Sequence, residues 1–191
     1  MFRHLFRRER LGRSRWVAAA VLTLTAVAGL SIASPAHAEA FPISDTFDDS
    51  RLWTIEEVPG ASSAFVGTLG EAHTRSNAAY LDAYPLGPAE ARVFRAITLN
   101  NGASVPTTCQ ASVWLRNVPM PENFNVQAHL RVHSGGPTGQ IISVIGANIN
   151  STGWTQRNFA AIPWPGNTRT ITVEIAAYHG VAMADDLTVS C

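Results

Sequence analysis

Two stretches of the chain alternate apolar and polar residues without a break. Over 109–116, Cys109, Ala111, Val113 and Leu115 share one parity, and Gln110, Ser112, Trp114 and Arg116 the other. Over 126–133, Val126, Ala128, Leu130 and Val132 oppose Gln127, His129, Arg131 and His133. A period of two is the signature of half-buried antiparallel strands, each with one core face and one solvent face. Shorter runs over 43–47, 64–68, 79–83, 91–99, 140–149, 154–162, 170–177 and 187–190 also read as strands. They are punctuated by Pro59-Gly60, Gly87-Pro88, Asn101-Gly102, Gly135-Gly136-Pro137 and Pro165-Gly166. No amphipathic helix of three turns is evident. The pattern predicts an all-β fold, an antiparallel β-sandwich of the jelly-roll kind.

The N-terminus reads differently. Arg3, Arg7, Arg8, Arg10, Arg13 and Arg15 precede an apolar run over 17–32, and Ala36-His37-Ala38 fits the small-x-small rule for cleavage. Residues 1–38 are expected to be a cleavable export signal. A run of about 16 apolar residues closed by Pro35 falls short of the roughly 20 needed to span a bilayer, so no stable membrane insertion is expected once the signal is removed. Arg7-Arg8 leaves the twin-arginine and general secretory routes both open. The mature chain, 39–191, is one domain's length, and its expected location is secreted.

Removing the signal changes the charge. The neutral total of 14 basic and 14 acidic residues becomes 8 basic against 13 acidic, a net charge of −5. With no basic run after the signal, nucleic acid is excluded as a partner. The two cysteines suit an oxidising destination. Cys109 shares parity with Ala111 and Val113, and Cys191 with Leu187 and Val189, so a Cys109–Cys191 disulfide is expected if their strands pair antiparallel. The alternative is a pair of buried free thiols.

If the strands at 109–116 and 126–133 lie side by side, their solvent faces make one surface of Trp114, Gln110, Arg116, Gln127, His129 and Arg131, joined by Glu174. A rigid sheet bearing an indole among hydrogen-bonding side chains suits a glycan, which has apolar ring faces and many hydroxyls. The indole does not suffice alone. Covering on the order of 100 Å² at about 25 cal/mol per Å² yields roughly 2.5 kcal/mol, whereas millimolar binding needs about 4. The alternatives for this face are a solvated sheet, or a loop folded over Trp114. No Gly-x-Ser-x-Gly elbow, His-Glu-x-x-His helix or phosphate loop is present, so the chain is not expected to be an enzyme. His129 and His133 lie about 13 Å apart along one strand, too far to share zinc.

Asp45-Thr46-Phe47-Asp48, Trp53, Ala79-Tyr80-Leu81, Ala91-Arg92-Val93-Phe94-Arg95, Gly102, the 109–116 strand, Trp154-Thr155 and Ala184-Asp185-Asp186-Leu187 follow one another in a characteristic order. In that order the mature chain resembles the bacterial carbohydrate-binding modules of the cellulose- and xylan-binding jelly-roll group, within the galactose-binding-like superfamily. The resemblance implies a non-catalytic module that binds glycan or polysaccharide. It also implies a structural calcium between the first and last strands at Asp48 and Asp186, supplemented by Asp45, Asp49 and Asp185; the alternative is that these acids cap turns. Trp53 and Trp154 match core positions of similar domains. Trp164, in Pro163-Trp164-Pro165-Gly166, is either an exposed turn tip or a plug over the core. The leading reading is a free-standing glycan-binding module. The competing one is a secreted protein-interaction or structural sandwich at the cell surface, and a third is a small hydrolase fragment or inhibitor.

Overall fold

The computed structural model describes residues 38–57, 63–83, 90–120 and 126–191, so the expected signal, apart from Ala38, lies outside the described residues. The described residues hold twelve strands: β1 Ala38–Glu39, β2 Ile43–Asp45, β3 Trp53–Glu56, β4 Ser63–Thr68, β5 Asn77–Ala83, β6 Glu90–Leu99, β7 Thr108–Asn117, β8 Val126–Ser134, β9 Ile141–Ile149, β10 Thr155–Pro163, β11 Thr170–Tyr178 and β12 Gly180–Ser190. They form two six-stranded sheets packed as a jelly-roll sandwich. Sheet A runs β1-β6-β11-β8-β9 with β3 also on β6, and sheet B runs β10-β7-β12-β5-β4 with β2 also on β12. Among the described residues no helix is long and apolar enough to cross a membrane.

The core forms where the inward parities of the two sheets meet. Ala111, Val113 and Leu115 of β7 and Leu187 and Val189 of β12 face Val93 and Ile97 of β6, Leu130 and Val132 of β8 and Ile171, Val173 and Ile175 of β11. One ion pair crosses this interior. Arg95 of β6 is bonded to Asp45 of β2 in the other sheet, and its Nη2 lies 2.8 Å from Glu39. Trp53 is core, stacked on Phe47 with ring centroids 4.3 Å apart. Trp164 is a plug: it is buried, donates from Nε1 to the Thr168 carbonyl at 3.0 Å and packs edge-on to Phe41.

Cys109 and Cys191 are disulfide-bonded. The pairing follows from the expected register, because β7 and β12 run antiparallel with Gln110 opposite Ser190. Cys109 is buried, whereas Cys191 lies at the exposed chain end.

Two expectations change. The last strand begins at Gly180 rather than 187, since Val181 and Met183 are buried on its outer side and Ala182 and Ala184 on its inner side, which erases the alternation. More consequentially, β7 and β8 lie in different sheets. From β9 to β12 too, the chain crosses between sheets at each step. The surface proposed from their adjacency is therefore divided between opposite sides of the sandwich.

Candidate functional site

The outer face of sheet A gathers Gln127, His129, Arg131 and Glu174 from the expected set. In β11 the odd positions Ile171, Val173 and Ile175 enter the core, so Thr172, Glu174 and Tyr178 fall on the outer side. Register then sets Glu174 between Arg131 of β8 and Phe94 of β6, and Tyr178 between Gln127 and Glu90. Glu174 is fully buried although it faces outward. Arg131 Nη1 lies 2.8 Å from one of its oxygens, and His133 Nε2 lies 2.5 Å from the other. The same Nη1 lies 2.8 Å from Glu90. Arg131 Nη2 donates to the Tyr178 hydroxyl, which donates to Glu90. Arg92 adds a contact to Glu90 at 3.1 Å.

This is a connected polar floor in which each group orients the next. A buried carboxylate is tolerated only when paired and hydrogen-bonded, and Glu174 has both. His133 is locked by a second bond, from Nδ1 to the Gly139 carbonyl at 3.1 Å. His129 stands beside Tyr178, ring centroids 4.6 Å apart. Burial, then the neighbouring Arg131 charge, lowers the His129 pKa below the ordinary value of 6.5, against a smaller upward pull from Glu90 and Glu174. Its Nδ1 is buried without a hydrogen-bond partner among the described residues, which disfavours a charged ring further. Gly146 on β9 makes room for this imidazole, since a Cβ there would sit 3.0 Å from His129 Nε2. Gln127 remains exposed at the edge of the floor.

Glu90, Tyr178 and the role of His133 were missed in the sequence. Tyr178 shares the parity of Glu174 and was within reach of the alternation rule. Glu90 was not, because it joins the floor only through the β6–β11 register.

Trp114, Gln110 and Arg116 lie on the outer face of sheet B, and the indole is not an open platform. His73, in the β4–β5 connection, stacks on Trp114 with ring centroids 4.0 Å apart and planes 18° from parallel. Trp154 packs edge-on against the same imidazole at 5.6 Å, so it belongs to this outer cluster and not to the core. Its Nε1 donates to the Glu71 carbonyl at 3.2 Å. Arg116 lies 5.8 Å over the Trp154 ring and 2.8 Å from the Glu71 carboxylate. Gln110 is exposed near the disulfide and apart from the stack.

The acids that resemble calcium ligands hold this loop down. A bulge in β12 between Asp185 and Thr188, with Asp186 at φ 48°, turns both neighbouring carboxylates toward it. Asp185 accepts the N–H groups of His73 at 2.8 Å and Thr74 at 3.0 Å. Asp186 takes His73 Nδ1 at 2.6 Å on one oxygen and the Thr74 hydroxyl at 2.5 Å on the other. Burial raises the Asp185 pKa, opposed by the backbone N–H groups it accepts. Asp48 takes Arg75 Nη1 at 2.6 Å and the Thr46 hydroxyl at 2.7 Å. Asp45 is committed to Arg95 and to the Phe47 N–H. Protein donors occupy both oxygens of Asp45, Asp49, Asp185 and Asp186 and Oδ2 of Asp48, and with arginines and a histidine among those donors this set does not fit a calcium cradle, which requires six to eight oxygen ligands.

No protein-family model and no curated protein matches the chain. Among solved structures it is similar to TmCBM61 in complex with beta-1,4-galactotriose, with TM-score 0.54 and 15% identity over 76% of this chain and 93% of that one. It is similar to the CBM22-1 xylan-binding domain from Paenibacillus barcinonensis Xyn10C, with TM-score 0.53 and 9% identity over 81% and 97%. A third likeness is to the K2 cleaved adhesin domain of Lys-gingipain, with TM-score 0.52 and 14% identity over 80% and 99%. At these identities the likeness is one of fold. The chain has the jelly-roll fold of carbohydrate-binding modules.

Proposed function

We propose that this protein is an exported, non-catalytic module that binds a glycan on the outer face of sheet A, around Gln127, His129, Arg131 and Tyr178. The observation that carries the reading is the buried Glu174, doubly paired under Arg131 and His133 on the outward side of a central strand. Such a floor holds donors and acceptors in place before a ligand arrives, which lowers the ordering cost that weakens binding of flexible polyols. The galactotriose-bound and xylan-binding modules of the same fold support a carbohydrate ligand. The export signal read from residues 1–38 supports secretion. A passive role is supported by Glu174, which is fully buried with both oxygens held by Arg131 and His133, and by Glu90, which is tied to the same Arg131 Nη1.

Retention of the purified protein on immobilised galactan and xylan tests the proposal. The wild type should be retarded on at least one, Gln127→Ala should weaken retention by about 1 kcal/mol or more, and His129→Ala should weaken it further. A folded wild type that passes freely through a broad panel of polysaccharides would overturn it. The second reading, docking of a protein at the cell surface, rests on exposed Phe65 stacked on Tyr80 across sheet B, centroids 5.2 Å apart, and on the adhesin-domain likeness. It gains if polysaccharide retention is absent.

A further inference from the structure

Natural sheets protect their outer strands with charge, proline, bulges or a covering element, because an open edge pairs with any available strand. β10, at the edge of sheet B, carries Arg157 and Pro163 among polar Gln156 and Asn158. β9, at the edge of sheet A, has an irregularity only at its start, where Ile142 is skipped in the pairing with β8, and from Ser143 onward no bulge interrupts it among the described residues. Its nine residues, Ile141 to Ile149, include no charge and no proline. Three of them are large and exposed: Ile141 at 45%, Val144 at 50% and Ile145 at 37%. Val144 is opposite Arg131 on the outer side and Ile145 opposite Leu130 on the core side, so apolar surface is open on both sides of one strand. Among the described residues β9 pairs with β8 alone, and Arg157 Nη2 meets its backbone at the Asn148 carbonyl, 3.3 Å away. The other uncharged edge, β4, is six residues long with one exposed large residue, Phe65.

We propose that β9 pairs with β9 of a second copy of this chain, antiparallel, joining two sheets A into one. Charge selects this occupant. Pairing a strand with its own copy about a two-fold axis brings like residues together, which a charged strand resists and an uncharged one does not. Pairing centred near Ile145 sets Val144 of one copy opposite Gly146 of the other, so the bulky side chain meets a glycine. The axis stands perpendicular to the sheet, as antiparallel pairing of identical strands requires, and both outer faces of sheet A then point the same way. If the glycan reading holds, the dimer presents two ligand faces on one side, and the effective concentration of the second site strengthens attachment to a long chain.

Light scattering behind size exclusion, at concentrations from about 1 to 100 μM, needs no glycan and so stands apart from the test of ligand binding. The expected wild-type mass at the upper end is twice that of the monomer. Val144→Lys and Ile145→Lys should each run as monomers, while Phe65→Lys on the edge strand β4 of sheet B should leave the dimer intact. Hydrogen exchange on the wild type is a second readout that no variant can spoil: outward-facing β9 amides should be protected at high concentration and exchange at least tenfold faster on dilution. A wild type that is monomeric throughout with freely exchanging β9 amides would overturn the proposal, as would a dimer that survives both lysine variants.

Discussion

The imidazole of His73 lies flat on the indole of Trp114, and the same imidazole is held through Nδ1 by Asp186 at 2.6 Å. A stacking platform needs a free face, and here one face already carries a ring supplied by the protein. Trp114 is thereby an anchor for the β4–β5 connection, which is why the proposed ligand contact lies on the other sheet.

Trp114→Ala should therefore cost stability. The indole is half-buried, so the loss should fall at the lower end of the range for deleting a large aromatic, about 3 kcal/mol. Glycan retention per folded molecule should be unchanged. Denaturant unfolding and affinity retention of the same preparation check both halves.

Chelation should leave the melting curve where it is, because Asp48 and Asp186 are already satisfied by Arg75, His73 and Thr74. Asp186→Ala should lower stability by about 1 to 3 kcal/mol through the lost bonds to the loop, and by the same amount with calcium or with chelator. A chelator-dependent shift in the wild type that disappears in Asp186→Ala would restore the calcium expectation.

Arg95→Met should be among the most damaging single changes, costing about 3 to 5 kcal/mol, since it strands the buried Asp45 charge between the sheets. Adding Asp45→Leu should recover much of the loss, although the Phe47 N–H would lose its acceptor. A double-mutant cycle in urea measures the coupling.

Reducing the disulfide should lower stability by up to about 4 to 5 kcal/mol, the chain-entropy value for closing an 82-residue separation. Alkylation without reduction should add no mass.

Stability should also fall on acidification in a way traceable to His129. Its folded pKa is depressed, by burial first and Arg131 second, so the unfolded chain takes up a proton near pH 6.5 more readily than the folded one. The contribution is present above that pH and is lost as pH falls through the folded pKa. His129→Gln should flatten the dependence of melting temperature on pH below about 6.5. Titration of the variant against the wild type checks the slope.

What the sequence determined by itself is local. Alternation in β7 correctly assigned Ala111, Val113 and Leu115 to the core, because side-chain direction along a strand depends only on the pleat. It also assigned Trp114 and His129 correctly to solvent-side parities. The disulfide was legible for a related reason, since parity and antiparallel pairing together leave few places for Cys191. Which sheet a strand joins is not local. Between β7 and β8 the chain passes from sheet B to sheet A, and that change of sheet separated Trp114 from Arg131 and brought Arg131 to Glu174, 43 residues away. The core position that the resemblance implied for Trp154 is not the one it takes, for its surroundings are His73, Glu71 and Arg116 from two other segments. Only the tertiary structure decided that one aromatic face is closed by its own loop and that a buried carboxylate organises the other. Both outcomes depend on contacts between segments far apart in sequence, whose free energies no single strand contains.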